Sequence, residues 1–193
     1  RRPAAGVVPM RVIAGRYGGR RLRAPAGAAT RPTSERVREA VFSMLGPLDG
    51  AGVLDLFAGS GALGIEAISR GAAQVIFVER AAAPREVLTA NLEALGLGRP
   101  TAIVRGGDAR PELRAAAARG EVFDLVFLDP PYRQADVLGP ALAGPLAAVL
   151  ATGARVVCES DRRLPLELGL PLERERRYGD TLIRVHSLRE PTR

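Results

Sequence analysis

The chain has 193 residues, enough for one domain with a sizeable core and a small appendage. It contains no run of about 18 apolar residues that would span a membrane; the longest near-apolar stretch, 135–154, is interrupted by Asp136, Gly139, Pro140, Gly144, Pro145 and Gly153. The formal net charge is +7, and the chain has one cysteine and one histidine, which excludes an internal disulfide and a His/Cys metal cluster.

No charged start, apolar middle and cleavage site marks a secretory signal, so the expectation is a cytoplasmic protein. All 28 basic residues are arginine, and they are unevenly placed. Residues 1–40 hold 10 Arg against Glu35 and Glu39, a net of +8, whereas residues 41–193 net −1. One-ended basic asymmetry points to an arm that meets a phosphate backbone. Arginine suits that task, because its planar fork pairs with phosphate and stacks on bases.

Residues 1–9 read as a flexible lead, and Met10 could serve as a start. Met10-Arg11-Val12-Ile13-Ala14-Gly15 and Gly19-Arg20-Arg21-Leu22-Arg23 flank Tyr17-Gly18, which predicts a small hairpin with arginines on its exposed face and at its tip. Thr33 or Ser34 can cap a following helix with an apolar stripe of Val37, Ala40, Val41, Met44 and Leu45. Arg36 and Arg38 are expected to face loops or solvent. Gly46 and Pro47 close the helix, so residues 10–46 form the basic arm and 47–193 the main domain.

The strand Val53–Phe57 runs into Ala58-Gly59-Ser60-Gly61-Ala62-Leu63-Gly64 and then a helix to Arg70. Gly59, Gly61 and Gly64 spell the G-x-G-x-x-G pattern, which allows a tight turn and close approach of a ligand. Asp55 stands four residues before Gly59. A carboxylate there would repel a pyrophosphate, but it suits S-adenosylmethionine, which has no phosphate and carries an ammonium and a sulfonium. The strand Gln74–Val78 ends at Glu79, placed to accept ribose hydroxyls, and a helix follows over 81–95. The strand Thr101–Arg105 is followed by Asp108, where adenine recognition would fall, and a short helix over 110–119.

The strand Asp124–Leu128 ends in Asp129-Pro130-Pro131-Tyr132. Two prolines forbid further helix or ladder and leave a stiff turn rich in acceptors. Asp129 adds a carboxylate and Tyr132 a flat ring, a combination that suits a base held out of its stack with its exocyclic amine bonded. A helix within 135–150 follows, then a strand over 154–158 carrying Cys158, a small core residue. The strands 172–178 and 181–188, joined at Gly179-Asp180, close the chain. The only histidine, His186, lies in the last of them. This alternation predicts a doubly wound, mostly parallel α/β sheet with an antiparallel C-terminal hairpin. Asp55, Glu79, Asp108 and Asp129 then fall on its carboxyl edge, where ligands bind.

Together these residues carry a resemblance. The chain resembles the RsmD-type methyltransferases, which methylate N2 of a guanine in 16S rRNA. The matching stretches are Arg11-Val12-Ile13-Ala14-Gly15, Arg20-Arg21-Leu22, Arg31-Pro32-Thr33 with Arg36-Val37-Arg38-Glu39, the run from Asp55 to Gly64, and Asp129-Pro130-Pro131-Tyr132. The resemblance implies a class I methyltransferase (Rossmann-like) fold with a seven-stranded sheet, S-adenosylmethionine as cofactor, and a small-subunit particle or assembly intermediate as partner of a monomer. The implied catalytic set is Asp129, Pro130, Pro131 and Tyr132. The implied cofactor set is Asp55, Phe57, Ala58, Gly59, Ser60, Gly61, Glu79, Arg80, Asp108, Ala109 and Asp129. The implied RNA contacts are Arg11, Arg16, Arg20, Arg21, Arg23, Arg31, Thr33 and Arg36. One departure is Ala81, where the family often has a second acid, which leaves Glu79 alone for the ribose.

Residue types alone do not separate guanine N2 from adenine N6 of DNA, although the chain leaves no room for a large DNA-reading domain. A nicotinamide oxidoreductase would explain the glycines but not Asp-Pro-Pro-Tyr. A non-enzymatic RNA-binding assembly factor would explain the arm alone.

Overall fold

Each apolar strand run of the sequence lies in one sheet, buried on both faces, as parallel strands covered by helices must be. The structure is a computed structural model and describes residues 10–24, 34–131 and 135–188. Residues 1–9, Arg31, Thr33 and Tyr132 lie outside the described residues.

A two-stranded hairpin, β1 (Met10–Arg11) and β2 (Arg21–Leu22), precedes α1 (Glu35–Leu45). The alternating part runs β3 (Gly52–Asp55), α2 (Ala62–Ser69), β4 (Gln74–Val78), α3 (Ala82–Ala94), β5 (Ala102–Arg105), α4 (Ala109–Ala118), β6 (Phe123–Leu128), α5 (Ala135–Ala147) and β7 (Leu150–Asp161). It ends in β8 (Leu172–Tyr178) and β9 (Thr181–Ser187). The seven-stranded sheet has the order β5-β4-β3-β6-β7-β9-β8. Pairing is parallel from β5 to β7 and antiparallel where β9 meets β7 and β8. The chain winds outward from β3 to β5, then crosses back to β6 on the other side, so a switch point opens between β3 and β6.

Strand residues alternate between two cores. Val53, Val75, Phe77 and Phe127 face α1, α2 and α3. Leu54, Ile76, Val126 and Leu128 face α4 and α5, where Leu113, Leu142 and Leu146 are fully buried. β7 is longer than the sequence suggests, because β9 keeps pairing with it as far as Asp161 opposite Thr181. Its pairing with β6 also shifts register between Phe123 and Leu125, which lets the strand start at Leu150.

The hairpin contributes Met10, Val12 and Leu22 to the first core. Its backbone is held by three buried polar side chains of α2 and α3. Glu66 accepts the N–H groups of Ile13 (2.7 Å) and Ala14 (3.1 Å). Ser69 Oγ accepts from the Tyr17 N–H at 2.9 Å and donates to the Ala14 carbonyl at 2.5 Å. Asn91 pairs both ways with the Arg23 backbone and donates to the Ser60 carbonyl, at 2.7–3.0 Å.

Ser34 caps α1, its side chain accepting from the Val37 N–H. Arg36 is exposed, but Arg38 corrects the expectation: it is wholly buried. The buried stripe is Val37, Arg38, Val41, Phe42 and Leu45, so the helix is rotated to include position 38 at i, i+3, i+4 and i+7. Arg38 donates to the Arg11 carbonyl, and its Nε lies 4.0 Å from Glu66. Burial lowers its pKa, and Glu66 acts against that. Arg70 completes the group at 2.7 Å from Glu66, with its guanidinium over the Phe42 ring.

Removing one member of a buried ion pair costs about 3–5 kcal/mol, because the other charge is left uncompensated. Glu66→Ala is therefore expected to destabilise the fold by about that amount in urea titrations. Hydrogen exchange at Ile13 and Ala14 should accelerate more than at the sheet residues Val75 and Ile76.

Candidate active site

Four acids follow the ends of four adjacent parallel strands. The registers set Asp55 level with Phe77 and Phe127, and Val78 level with Arg105. Asp55 therefore closes β3, while Glu79 and Asp129 follow the ends of β4 and β6. Asp108 begins α4, three residues beyond the end of β5.

After Asp55 the chain turns sharply. Leu56 donates to the Phe127 carbonyl and Ala58 to the Val78 carbonyl, which pins the turn across both neighbouring strands. Gly61 caps α2 in a left-handed conformation, and a Cβ there would meet Leu88 at 2.3 Å. At Gly64 a Cβ would lie 2.2 Å from the Phe77 ring, so the third glycine serves helix-to-strand packing rather than the turn itself.

Asp55 is 1% exposed. One carboxylate oxygen accepts the Gly64 N–H at 3.1 Å, and the other, also buried, has no hydrogen-bond partner among the described residues. Burial pushes its pKa up to about 7, with the Gly64 bond acting against the rise and Glu79 adding to it. A buried acceptor beside a glycine turn fits a cationic ligand group, which would complete its bonding.

Glu79 accepts the Gly59 N–H at 2.9 Å and the Ala81 N–H at 2.7 Å. The Gly59 bond ties it to the glycine turn, and the Ala81 bond ties it to the start of α3. Arg80 and Asp108 are exposed and pair at 3.2 Å on the rim, with Ala109 buried behind them. Phe57 is half-buried and Ala58 buried. Ser60 is buried, its hydroxyl 3.7 Å from the Met10 sulfur, which links the glycine turn to the arm.

Beyond β6, Asp129 is half-buried, Pro130 buried and Pro131 exposed. Tyr132, the predicted stacking residue, lies outside the described residues, as do Arg31 and Thr33 of the predicted RNA contacts. Arg11, Arg16, Arg20, Arg21, Arg23 and Arg36 are all exposed. The five on the hairpin are spread along it rather than clustered. Arg11 and Arg23 stand near the glycine turn through Met10–Ser60 and Arg23–Asn91–Ser60, whereas Arg16 at the hairpin tip bonds the Ser69 carbonyl at the far end of α2.

Sequence reasoning passed over Glu66, Ser69 and Asn91. The signal for Glu66 was present: an acid inside the apolar run Leu63–Ile68 is costly unless partners await it. Cys158 is buried with its thiol pKa pushed up, and burial lowers that of His186, whose Nδ1 lies 3.1 Å from the Leu170 carbonyl. Cys158 stands level with Leu128, the last residue of β6, but its side chain packs in the second core with Leu128 and Leu142. Among the described residues no group of His, Cys, Asp or Glu could hold a metal ion, and no helix is long and apolar enough to cross a membrane.

A glycine turn after the first strand of the main sheet, the switch point beside it and an antiparallel strand inserted next to the edge define the class I methyltransferase fold. Solved structures agree: the putative methyltransferase yhhF from Escherichia coli superposes with a TM-score of 0.78 at 35% identity, covering 93% of this chain and 97% of that one. The family model described as "Conserved hypothetical protein 95" matches residues 10–187. The chain belongs to this family, the RsmD-type methyltransferases. The putative rRNA methyltransferase YlbH of Bacillus subtilis is 41% identical over 93% of this chain and all of its own length. The ribosomal RNA small subunit methyltransferase D of E. coli is 42% identical over 65% of this chain and 61% of its own.

The raised Asp55 pKa has a stability consequence. Below about pH 4 the acid is protonated in both the folded and unfolded chains. As pH rises toward about 7, only the unfolded chain ionises freely, so stability is lost across that window, by at most about 4 kcal/mol. The difference in unfolding free energy between Asp55→Asn and the parent, measured at pH 4.5 and 7.5, should shift by about 2–4 kcal/mol in favour of the variant.

Proposed function

We propose that the protein is an S-adenosylmethionine-dependent methyltransferase that modifies N2 of a guanine in 16S rRNA of the small ribosomal subunit. The observation that carries this reading is the adjacency of β3 and β6, which sets Asp129-Pro130 next to the glycine turn and Asp55. The relatives named as rRNA methyltransferases support the RNA substrate.

When bound, the cofactor supplies an electrophilic methyl group on its sulfonium. Asp55 and the turn from Phe57 to Gly61 would hold its charged amino-acid end. Glu79 would take the ribose, and Asp108 with Ala109 the adenine side. Guanine N2 is a weak nucleophile because its lone pair is delocalised into the ring. Asp129 and the Pro130 carbonyl would accept its two hydrogens, draw the nitrogen toward tetrahedral geometry and aim the lone pair at the methyl group. Tyr132 would stack on the base. Most of the rate enhancement is then positioning, and Asp129 would take the proton that the methylated amine releases. The arginines from Arg11 to Arg36 would grip the phosphates of the particle.

Methyl transfer from labelled S-adenosylmethionine to small-subunit particles lacking the modification, followed by nucleoside analysis, tests the assignment. Label in N2-methylguanosine is expected. Label only in N6-methyladenine from duplex DNA run alongside would keep the site and overturn the substrate. Asp129→Ala should lower turnover by at least about 10²-fold with cofactor affinity nearly unchanged, and near-parental turnover would rule its role out. Binding a cation beside Asp55 requires its ionised form. Calorimetric affinity for S-adenosylmethionine should therefore rise about fivefold from pH 6 to pH 7, below the titration of the cofactor's own amine, in the parent and not in Asp55→Asn.

A further inference from the structure

The hairpin does more than approach the glycine turn: its tip helps to enclose a hollow at the other end of the sheet. This space of about 480 Å³ lies between the tip and the connection from α3 to β5. Arg16, Tyr17, Gly98, Arg99 and Thr101 are among the residues that line it. Its size suits a nucleotide-sized ligand. No carboxylate lines it, and both arginines are exposed. Tyr17 is half-buried, with the Arg16 guanidinium 5.5 Å from its ring centre. The wall is fixed rather than loose. The Tyr17 and Arg16 N–H groups donate to Ser69 at 2.9 and 2.7 Å, and Arg20 reaches across to the Ala94 carbonyl at 2.9 Å.

The hollow touches Ala73, just before β4, and Thr101, just before β5. The catalytic edge is at the other end of those strands, roughly 16 Å away for a five-residue strand at about 3.3 Å per residue. A ligand here cannot be the target base. We propose that this hollow is a second RNA site, which takes a phosphate on Arg16 and Arg99 and stacks its nucleotide on Tyr17, several nucleotides from the base being methylated. The proposal rests on the reading of the substrate as RNA. Arg21 and Arg20 are exposed along the hairpin between the glycine turn and the hollow, as is Arg11, which also pairs with Glu35 at 3.2 Å, and that basic run distinguishes an RNA strand from a free anion. Stacking on an aromatic ring combined with arginine–phosphate pairing is the usual grip on an unpaired strand.

Two substitutions outside the catalytic set probe it. Arg99→Glu reverses one charge. Gly98→Glu places an acid in the same wall, at a position where an added Cβ meets open space. Affinity for fluorescently labelled small-subunit particles lacking the modification is measured for parent and variants, with S-adenosylmethionine affinity and methyl-transfer kinetics alongside. Both variants are expected to weaken particle binding and raise KM for particles at least tenfold. Cofactor affinity and saturated kcat should stay within twofold of the parent. Arg99→Ala should flatten the salt dependence of binding by about one counterion. Particle affinity within twofold of parent in both Glu variants would overturn the site. Weakened binding by variants of a parent that methylates no RNA would uphold the site and overturn the catalytic assignment instead.

Discussion

The buried carboxylate of Glu66 is the constraint on which the arrangement of this molecule turns. It sits on α2, the helix that the glycine turn opens, and it is wholly removed from solvent. Isolated, it would be expensive to bury. It is compensated by two backbone N–H groups of the hairpin, by Arg70 and by Arg38 of α1. The partners thus come from three separate parts of the chain, and none of those parts can shift without leaving a buried charge or N–H unsatisfied. The basic arm is thereby held against the same helix that positions the glycine turn. Asn91 and Ser69 repeat the device on either side with neutral groups.

The opposite choice is made at Asp55. Glu66 is buried and surrounded by donors, whereas Asp55 is buried with one donor and, among the described residues, one unmet oxygen. The difference shows in the chemistry: the Asp55 pKa is driven up to about 7, because burial outweighs its single hydrogen bond. An under-satisfied buried acid weakens a fold and is explained by a ligand that completes it. The glycine turn, packed through Gly64 against Phe77, denies the site any freedom to relax around the acid. Electrostatic need and steric rigidity therefore coincide at one crevice.

The parallel strands were legible because burial on both faces leaves continuous apolar runs, as in Val75–Val78 and Leu125–Leu128. The carboxyl-edge acids were legible for the same reason, since each follows directly on such a run or on the loop after it. What pattern reading missed is charge in the interior. Arginine is rarely buried, yet the helical period sets Arg38 on the same stripe as Val41, Phe42 and Leu45. Its counter-charge, Glu66, is 28 residues away, and no local rule connects the two. The full length of β7 is not legible either, because its last residues are held by β9, a partner twenty or more residues later in the chain.

The docking of the hairpin changes what its charge means. Sequence alone places the whole net charge in the first 40 residues, which a mobile tail would spread over a large volume. Here residues 10–24 run from Ser60, beside the glycine turn, to Ser69, at the end of α2, and are bonded at both places. The exposed arginines of the hairpin are thus carried on a backbone held at both ends. A held backbone selects for the path of a strand as well as for its phosphates, because only the side chains of the arginines still have to be ordered on binding. On the proposed reading, specificity for one nucleotide within a large RNA would come from the shape of the strand that reaches the crevice, and Asp129 and Pro130 would test the exocyclic amine once it arrives.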